Sequence, residues 1–362
     1  MAETTDFLSR MKESFKGVLS GIIMIPLSFS IVFYASQREQ VSEVLEGAMP
    51  FEQAAEAAKK KKAVYMTGKL QADPIGDEYL KPGHYLSIHR EAQMYAYVSR
   101  EETKEVEKNG KKEKQTVYGC VVEWTSDPGK ADDGKACADE NKTNPAQTLA
   151  DFSKEITPSL IFNGKTWQLA ENVIYTDMPG IELTADKLKN DYAIENNYLY
   201  PDPKCKTESP RIGCERLVYS GTSYDPAGEY TAIGTPVNDR IEGFVAKSGT
   251  SYLRVGPGKV DQVMQSLKTV DSMATIILFI ISVLALGIGL NGLVGPFLEL
   301  IEYIPIIGGL GAGLIRFVLF IAAAIVMGLS FLLIEYWYLV LLLFVAGVIA
   351  AIVIAKKRRA TA

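Results

Sequence analysis

Two histidines, four cysteines and scattered carboxylates are the groups in this 362-residue chain whose chemistry suits acid–base, metal or redox work. His84 and His89 have the intrinsic pKa of a general base, but each stands alone. A lone histidine in a strand pattern reads as a surface or packing residue. There is no G-x-S-x-G nucleophile turn, no Walker phosphate loop and no H-E-x-x-H zinc pair. Serine–lysine chemistry needs no adjacency, and nothing in the spacing points to it. Asp132, Asp133, Asp139 and Glu140 form an acidic loop around Cys137. They lack EF-hand spacing and read as solvated. With two histidines and no C-x-x-C pair, a zinc site is not expected. No cofactor, metal or catalytic residue is assigned.

Cys120, Cys137, Cys205 and Cys214 all fall in the polar middle of the chain. An even count in an oxidising compartment predicts one or two disulfides. A Cys205–Cys214 bond would close a short loop across Pro210. Four cysteines allow three pairings, and spacing alone does not choose among them.

The elements that carry these residues are set by hydropathy. A bilayer-spanning helix needs about 20 apolar residues. Residues 17–35, 273–295, 317–334 and 338–355 qualify. Pro26 lies inside the first span and predicts a kink there, which lipid-embedded helices tolerate. Basic residues flank the chain ends: Arg10, Lys12 and Lys16 before span one, and Lys356, Lys357, Arg358 and Arg359 after span four. The positive-inside rule places both termini in the cytoplasm. Arg38 and Lys59 to Lys62 lie on the translocated side, but long translocated domains escape that rule. A cleaved signal peptide is the competing reading of the N-terminus, and it leaves the large domain on the same side.

Residues 36–272 then form an extracytoplasmic domain in which acidic residues outnumber basic ones. Such a balance disfavours nucleic acid. Val41, Val44, Leu45 and Ala48 recur at helical spacing, and Phe51 to Ala58 continues the pattern. Lys59 to Lys62 read as a solvated helix end. Beyond Ala63 the pattern turns to strands: 63–70, 84–100, 115–126, 159–162, 166–169, 172–176, 216–219, 230–233, 241–246 and 251–255. Asn109-Gly110 predicts a hairpin turn, with Tyr118, Cys120, Val122 and Trp124 on a core-facing side. Residues 144–154 and 184–189 read as short helices, with Thr184 an N-cap. Residues 259–272 lead straight into span two. The fold class is α+β: four transmembrane helices, one N-terminal and three C-terminal, around a large β-rich domain.

Several membrane residues carry polar or packing potential. Asn291 lies within span two, where an unpaired amide is costly, so a bond to a neighbouring helix is expected. Glu299, Glu302 and Arg316 flank residues 296–316, read as a cytoplasmic interfacial or re-entrant segment that Pro305-Ile306-Ile307-Gly308-Gly309 breaks. The bland reading is a surface hairpin with its acids in water. The sharper one is an acid–arginine site near the bilayer. Gly309-x-x-x-Gly313, Ala324-x-x-x-Gly328 and Gly347-x-x-x-Ala351 permit close helix packing or oligomerisation. Glu335-Tyr336-Trp337 reads as an interfacial anchor, and residues 356–362 as a basic cytoplasmic tail.

Nearly the whole chain resembles transmembrane protein 43, or LUMA, and its bacterial relatives. The resemblance rests on Phe15-Lys16-Gly17-Val18-Leu19-Ser20-Gly21 and Ser42-Glu43-Val44-Leu45-Glu46-Gly47. It rests most specifically on Gln93-Met94-Tyr95-Ala96-Tyr97-Val98, Glu101-Glu102, Lys111-Lys112-Glu113, Tyr118 and Glu123-Trp124, with Asn144-Pro145 and Lys247-Ser248-Gly249 in support. Gln93 replaces a usual glutamate and Tyr97 a usual tryptophan. The resemblance implies four spans with both ends cytoplasmic and a non-enzymatic role, with no catalytic residues to carry over. Eukaryotic members organise protein complexes in the endoplasmic reticulum and inner nuclear membrane, and they self-associate. We read this chain as a bacterial member, in the inner membrane with its domain in the periplasm. The expected function is a scaffold whose partners are membrane lipids, further copies of itself and other membrane proteins. A channel or transport subunit would instead have Asn291, Glu299, Glu302 and Arg316 facing water. An envelope enzyme would have a deep pocket near His84 or His89.

Overall fold

The computed structural model describes residues 2–108, 111–128, 137, 142–302 and 308–336. It divides into two compact units, one of Met1–Val44 with Leu267–Ala362 and one of Leu45–Ser266.

In the first unit three helices are long and apolar enough to cross a membrane. Their apolar stretches are Gly17–Val44, Val260–Leu298 and Gly313–Glu335. The span expected at 338–355 lies outside the described residues. The first helix, Ala2–Gln37, runs on through Pro26. The second, Val260–Glu302, begins in the exposed domain as expected and also runs through Pro296. The third is Gly308–Glu335. The segment expected at 296–316 is thus helical over 296–302 and 308–316, and Pro305 lies outside the described residues. Outward residues such as Leu19, Ile22, Ile276, Ile280, Phe317 and Leu329 are exposed. In a bilayer, lipid is the solvent for such a face. Val32, Leu286, Ala323 and Met327, drawn from all three helices, form the buried core.

The second unit is β-rich. Its strands are β1 (Met49–Pro50), β2 (Val64–Gln71), β3 (Tyr85–Lys108), β4 (Lys111–Thr125), β5 (Phe152–Glu155), β6 (Ser159–Phe162), β7 (Lys165–Leu169), β8 (Ile174–Tyr175), β9 (Ala193–Glu195), β10 (Tyr198–Tyr200), β11 (Glu215–Ser223), β12 (Tyr230–Val237), β13 (Arg240–Glu242), β14 (Phe244–Val245), β15 (Ser251–Tyr252) and β16 (Arg254–Pro257). An 8-stranded sheet runs β1-β2-β6-β7-β13-β12-β16-β8, and a 6-stranded sheet runs β4-β3-β11-β10-β9 with β5 on β3. Met66, Leu160, Trp167 and Leu253 centre one core, while Ile88, Leu199, Leu217 and Tyr219 centre the other. Asn163-Gly164 and Asn196-Asn197 take positive φ, as two-residue hairpin turns require.

Four expectations change. Residues 144–151 form no helix, and β5 follows them. Pro145 disfavours a helical Asn144, and polar side chains of this segment bond to β3 instead. Asn144 accepts from Tyr97 N at 2.7 Å and donates to Tyr97 O at 2.9 Å. Gln147 donates to Ala92 O and Asp151 accepts from Ala92 N. Residues 184–189 contain one 3-10 turn, Ala185–Lys187, and Thr184 makes no side-chain cap bond. Its hydroxyl bonds Asp186 instead, which holds that carboxyl below its usual range. The helix expected across 41–58 is broken into Val41–Val44, a 3-10 turn at Phe51–Gln53 and Ala54–Lys60, because Met49–Pro50 pairs with β2. Lys61 caps the last piece in the left-handed conformation, and Lys59 to Lys62 are exposed as expected. Finally, Tyr118 and Val122 are exposed, not core. β11 pairs β3 only up to Met94, while β4 pairs it from Met94 to Lys108. The outer hairpin is therefore a two-stranded ribbon, and its far face has too little sheet beside it to be covered.

Candidate functional site

Leu86, Ile88, Arg90, Ala92, Met94 and Ala96 alternate along β3 and are all buried. Arg90 is the one charge in that row, so it requires a buried partner. The partner is Asp77, whose side chain is fully buried and lies 2.6 Å from Arg90 Nη1. Tyr219 of β11 donates to the same Asp77 oxygen at 2.8 Å. The other oxygen accepts from Tyr79 N and Leu80 N at 2.9 and 2.7 Å. Arg90 also donates to Ala150 O and stacks on Tyr79 and Phe152. Burial first, then the bond to Asp77, pushes the Tyr219 phenol well above its usual pKa. Every polar group here is paired, so the cluster is a structural keystone with no spare valence for substrate. Sequence reasoning missed it, although a charge in the inner row of a strand was its visible signal.

The residues that carried the family resemblance build a second cluster. Trp124 packs at a tilt against Tyr95 and edge to face against Tyr200. The Arg216 guanidinium lies 4.3 Å from the Trp124 ring centre and 3.7 Å from that of Tyr198, and it donates to Gln93. Beside them the Cys205–Cys214 disulfide is buried. The second bond joins Cys120 to Cys137. Together the two bonds form one of the three pairings the sequence left open, and the cysteines are structural.

In the membrane unit the first two helices meet through glycine. A Cβ on Gly21 would sit 2.6 Å from Gly289 O, and one on Gly292 would collide with Gly17 O. Gly287 likewise lies under the Phe320 ring. Near the helix ends Arg38 bonds the Asp271 backbone and carboxylate, and Asp271 accepts from Ser42 N at 2.8 Å. Neither contact was singled out in sequence.

The expected membrane residues are placed differently. Asn291 donates to Gly287 O of its own helix, and its Oδ1 is buried without a described partner. The bond to a neighbouring helix is not among the described contacts, because Nδ2 closes back on the preceding turn. No described atom lies within 4 Å of a Cβ on Gly313 or Gly328. Ala324 is exposed. Gly309 opens the third helix with Gly308. Glu299 and Glu302 lie in the last turns of the second helix, and Arg316 is an exposed residue of the third. Gly347, Ala351 and the acidic loop carboxylates lie outside the described residues.

Among the histidines, His84 stacks on Tyr224 and lines a cleft of about 360 Å³ with Lys81 and Asp186. His89 is half-exposed, 2.9 Å from Ser153 Oγ and 3.3 Å from Glu155. The two do not converge on a common site. Among the described residues, no group of three or more histidine, cysteine or carboxylate side chains could hold a metal.

Apolar helices joined to a β-rich domain define an α+β integral membrane protein. The chain belongs to the transmembrane protein 43 family, whose family model matches residues 94–340. Human transmembrane protein 43 is 24% identical over 324 residues, covering 83% of this chain and 79% of the human protein. No solved structure matches the chain.

Proposed function

We propose that the chain is a non-enzymatic membrane scaffold that self-associates through its helices and holds its β-rich domain outside the cytosol. Both termini are placed in the cytoplasm, and other membrane proteins are the partners. The observation that carries this reading is the small-residue face of the third helix. At 100° per residue, Gly309, Gly313, Ala324 and Gly328 fall within about 100° of arc. Small residues on one face let a second helix approach closely, and Gly313 and Gly328 meet no described part of the chain. The described helix packing within the chain uses Gly17, Gly21, Gly289 and Gly292 instead, and we assign the third-helix face to another copy.

Among the described residues there are no free cysteines, so introduced thiols report contacts cleanly. Ala324→Cys, oxidised in native membranes, is expected to give a disulfide-linked dimer. Val326→Cys, about 200° round the helix, is expected to stay monomeric. Equal cross-linking at both positions, or none at Ala324→Cys, overturns the proposed interface.

A further inference from the structure

A groove of about 460 Å³ lies between the two sheets of the exposed domain. One wall is β8 with Glu171 and Val173 before it. The other includes Leu86 of β3, the end of β5 at Glu155, and Ile156.

β8 is the last strand of its sheet. Ile174 and Thr176 donate to Leu253 O and Val255 O at 3.0 and 2.8 Å, on the β16 side. Strand alternation turns the N–H and C=O of Tyr175 the opposite way. There no described residue bonds them, and the register ends at β8. The Tyr175 side chain packs against the core of the 8-stranded sheet, which anchors this short edge. An open edge with a fixed backbone is a template for an added strand.

Charge selects what is added. Glu155 is 71% exposed, and Glu171 is exposed on the opposite wall. None of the described residues lining the groove is basic. His89, at Glu155, is the neighbouring titratable group. The half-buried Ile156 and Val173 supply an apolar floor between the acids.

We propose that this groove binds an extended basic polypeptide segment. The segment pairs with the Tyr175 backbone, seats its uncharged side chains on Ile156 and Val173, and places lysine or arginine on Glu155 and Glu171. This inference is independent of whether the helices self-associate.

The test uses the full chain in phosphatidylcholine nanodiscs. The probe is a short fluorescent peptide of alternating threonine and lysine, read by anisotropy. Glu155→Gln with Glu171→Gln is expected to weaken binding about tenfold, since two exposed ion pairs are each worth up to about 1 kcal/mol. Because both carboxylates are exposed, thermal stability should not change. Bound peptide should slow deuterium exchange at the Tyr175 amide. A peptide with proline in place of threonine should neither protect that amide nor bind as tightly. Undiminished affinity in the double variant, or equal binding of a glutamate-for-lysine peptide, overturns the proposal. So does equal binding of the proline peptide, which would mean a cation site without strand addition.

Discussion

Truncating Asp77 should destabilise the exposed domain more than any surface change. Asp77→Ala removes four accepted hydrogen bonds, two from backbone and one each from Arg90 and Tyr219. It leaves Arg90, whose side chain is 6% exposed, buried with only the Ala150 carbonyl to bond. Breaking one side of a buried pair costs about 3–5 kcal/mol. The domain spans Leu45–Ser266, and a unit of that size loses roughly 2–4 °C of Tm per kcal/mol. The expected fall is about 6–20 °C. The assay is thermal unfolding of the full chain in nanodiscs, followed by the fluorescence of Trp124 and Trp167. Adding Arg90→Met should restore part of the loss, because it removes the stranded charge. A single variant melting within about 2 °C of the parent, or a double variant that loses the sum of both truncations, refutes the reasoning.

Alkaline pH should destabilise the domain. Burial raises the phenols of Tyr79, Tyr85, Tyr175, Tyr219, Tyr224 and Tyr230 above their usual value. The folded state favours the neutral form, so this contribution is complete below the unfolded pKa of about 10 and is lost as pH rises beyond it. Tm should fall there, and Tyr175→Phe should soften the fall without cost at neutral pH, since the Tyr175 hydroxyl is buried without a described partner. Non-reducing peptide mapping should find Cys120–Cys137 and Cys205–Cys214. Reduction should cost about 3 kcal/mol per bond on chain entropy, read as a lower denaturant midpoint. Gly21→Leu should lower the stability of the helical unit by about 1–3 kcal/mol, seen as earlier loss of the monodisperse peak on heating. Leu19→Ala, at a lipid-facing position, should leave it unchanged.

The architecture was legible wherever one residue row met one environment. The three described apolar helices and the strands of the two larger sheets were legible because hydropathy period and burial coincide there. The turn expected at Asn109-Gly110 lies outside the described residues, between Lys108 and its partner Lys111, and the turn at Asn163-Gly164 was not singled out in the sequence. The failures are tertiary. Residues 144–150 have helical composition, yet Asn144, Gln147 and the neighbouring Asp151 give their side chains to β3. Tyr118 and Val122 alternate like core, yet the ribbon that carries them has no third strand. Asp77 lies in a turn and finds Arg90 and Tyr219 only through sheet assembly. The helix crossing uses Gly17-x-x-x-Gly21 against Gly289-x-x-Gly292, and the second spacing matches no motif. Gly313 and Gly328 match the motif and touch no described partner.

The mass of the nanodisc-embedded particle, measured by light scattering with the lipid and belt protein subtracted, tests the scaffold reading most directly. The account predicts a defined protein multiple of the 39.7 kDa chain, collapsing towards one copy when Gly313 and Gly328 are replaced by leucine. A single copy at every concentration, with the parent sequence intact, would contradict it.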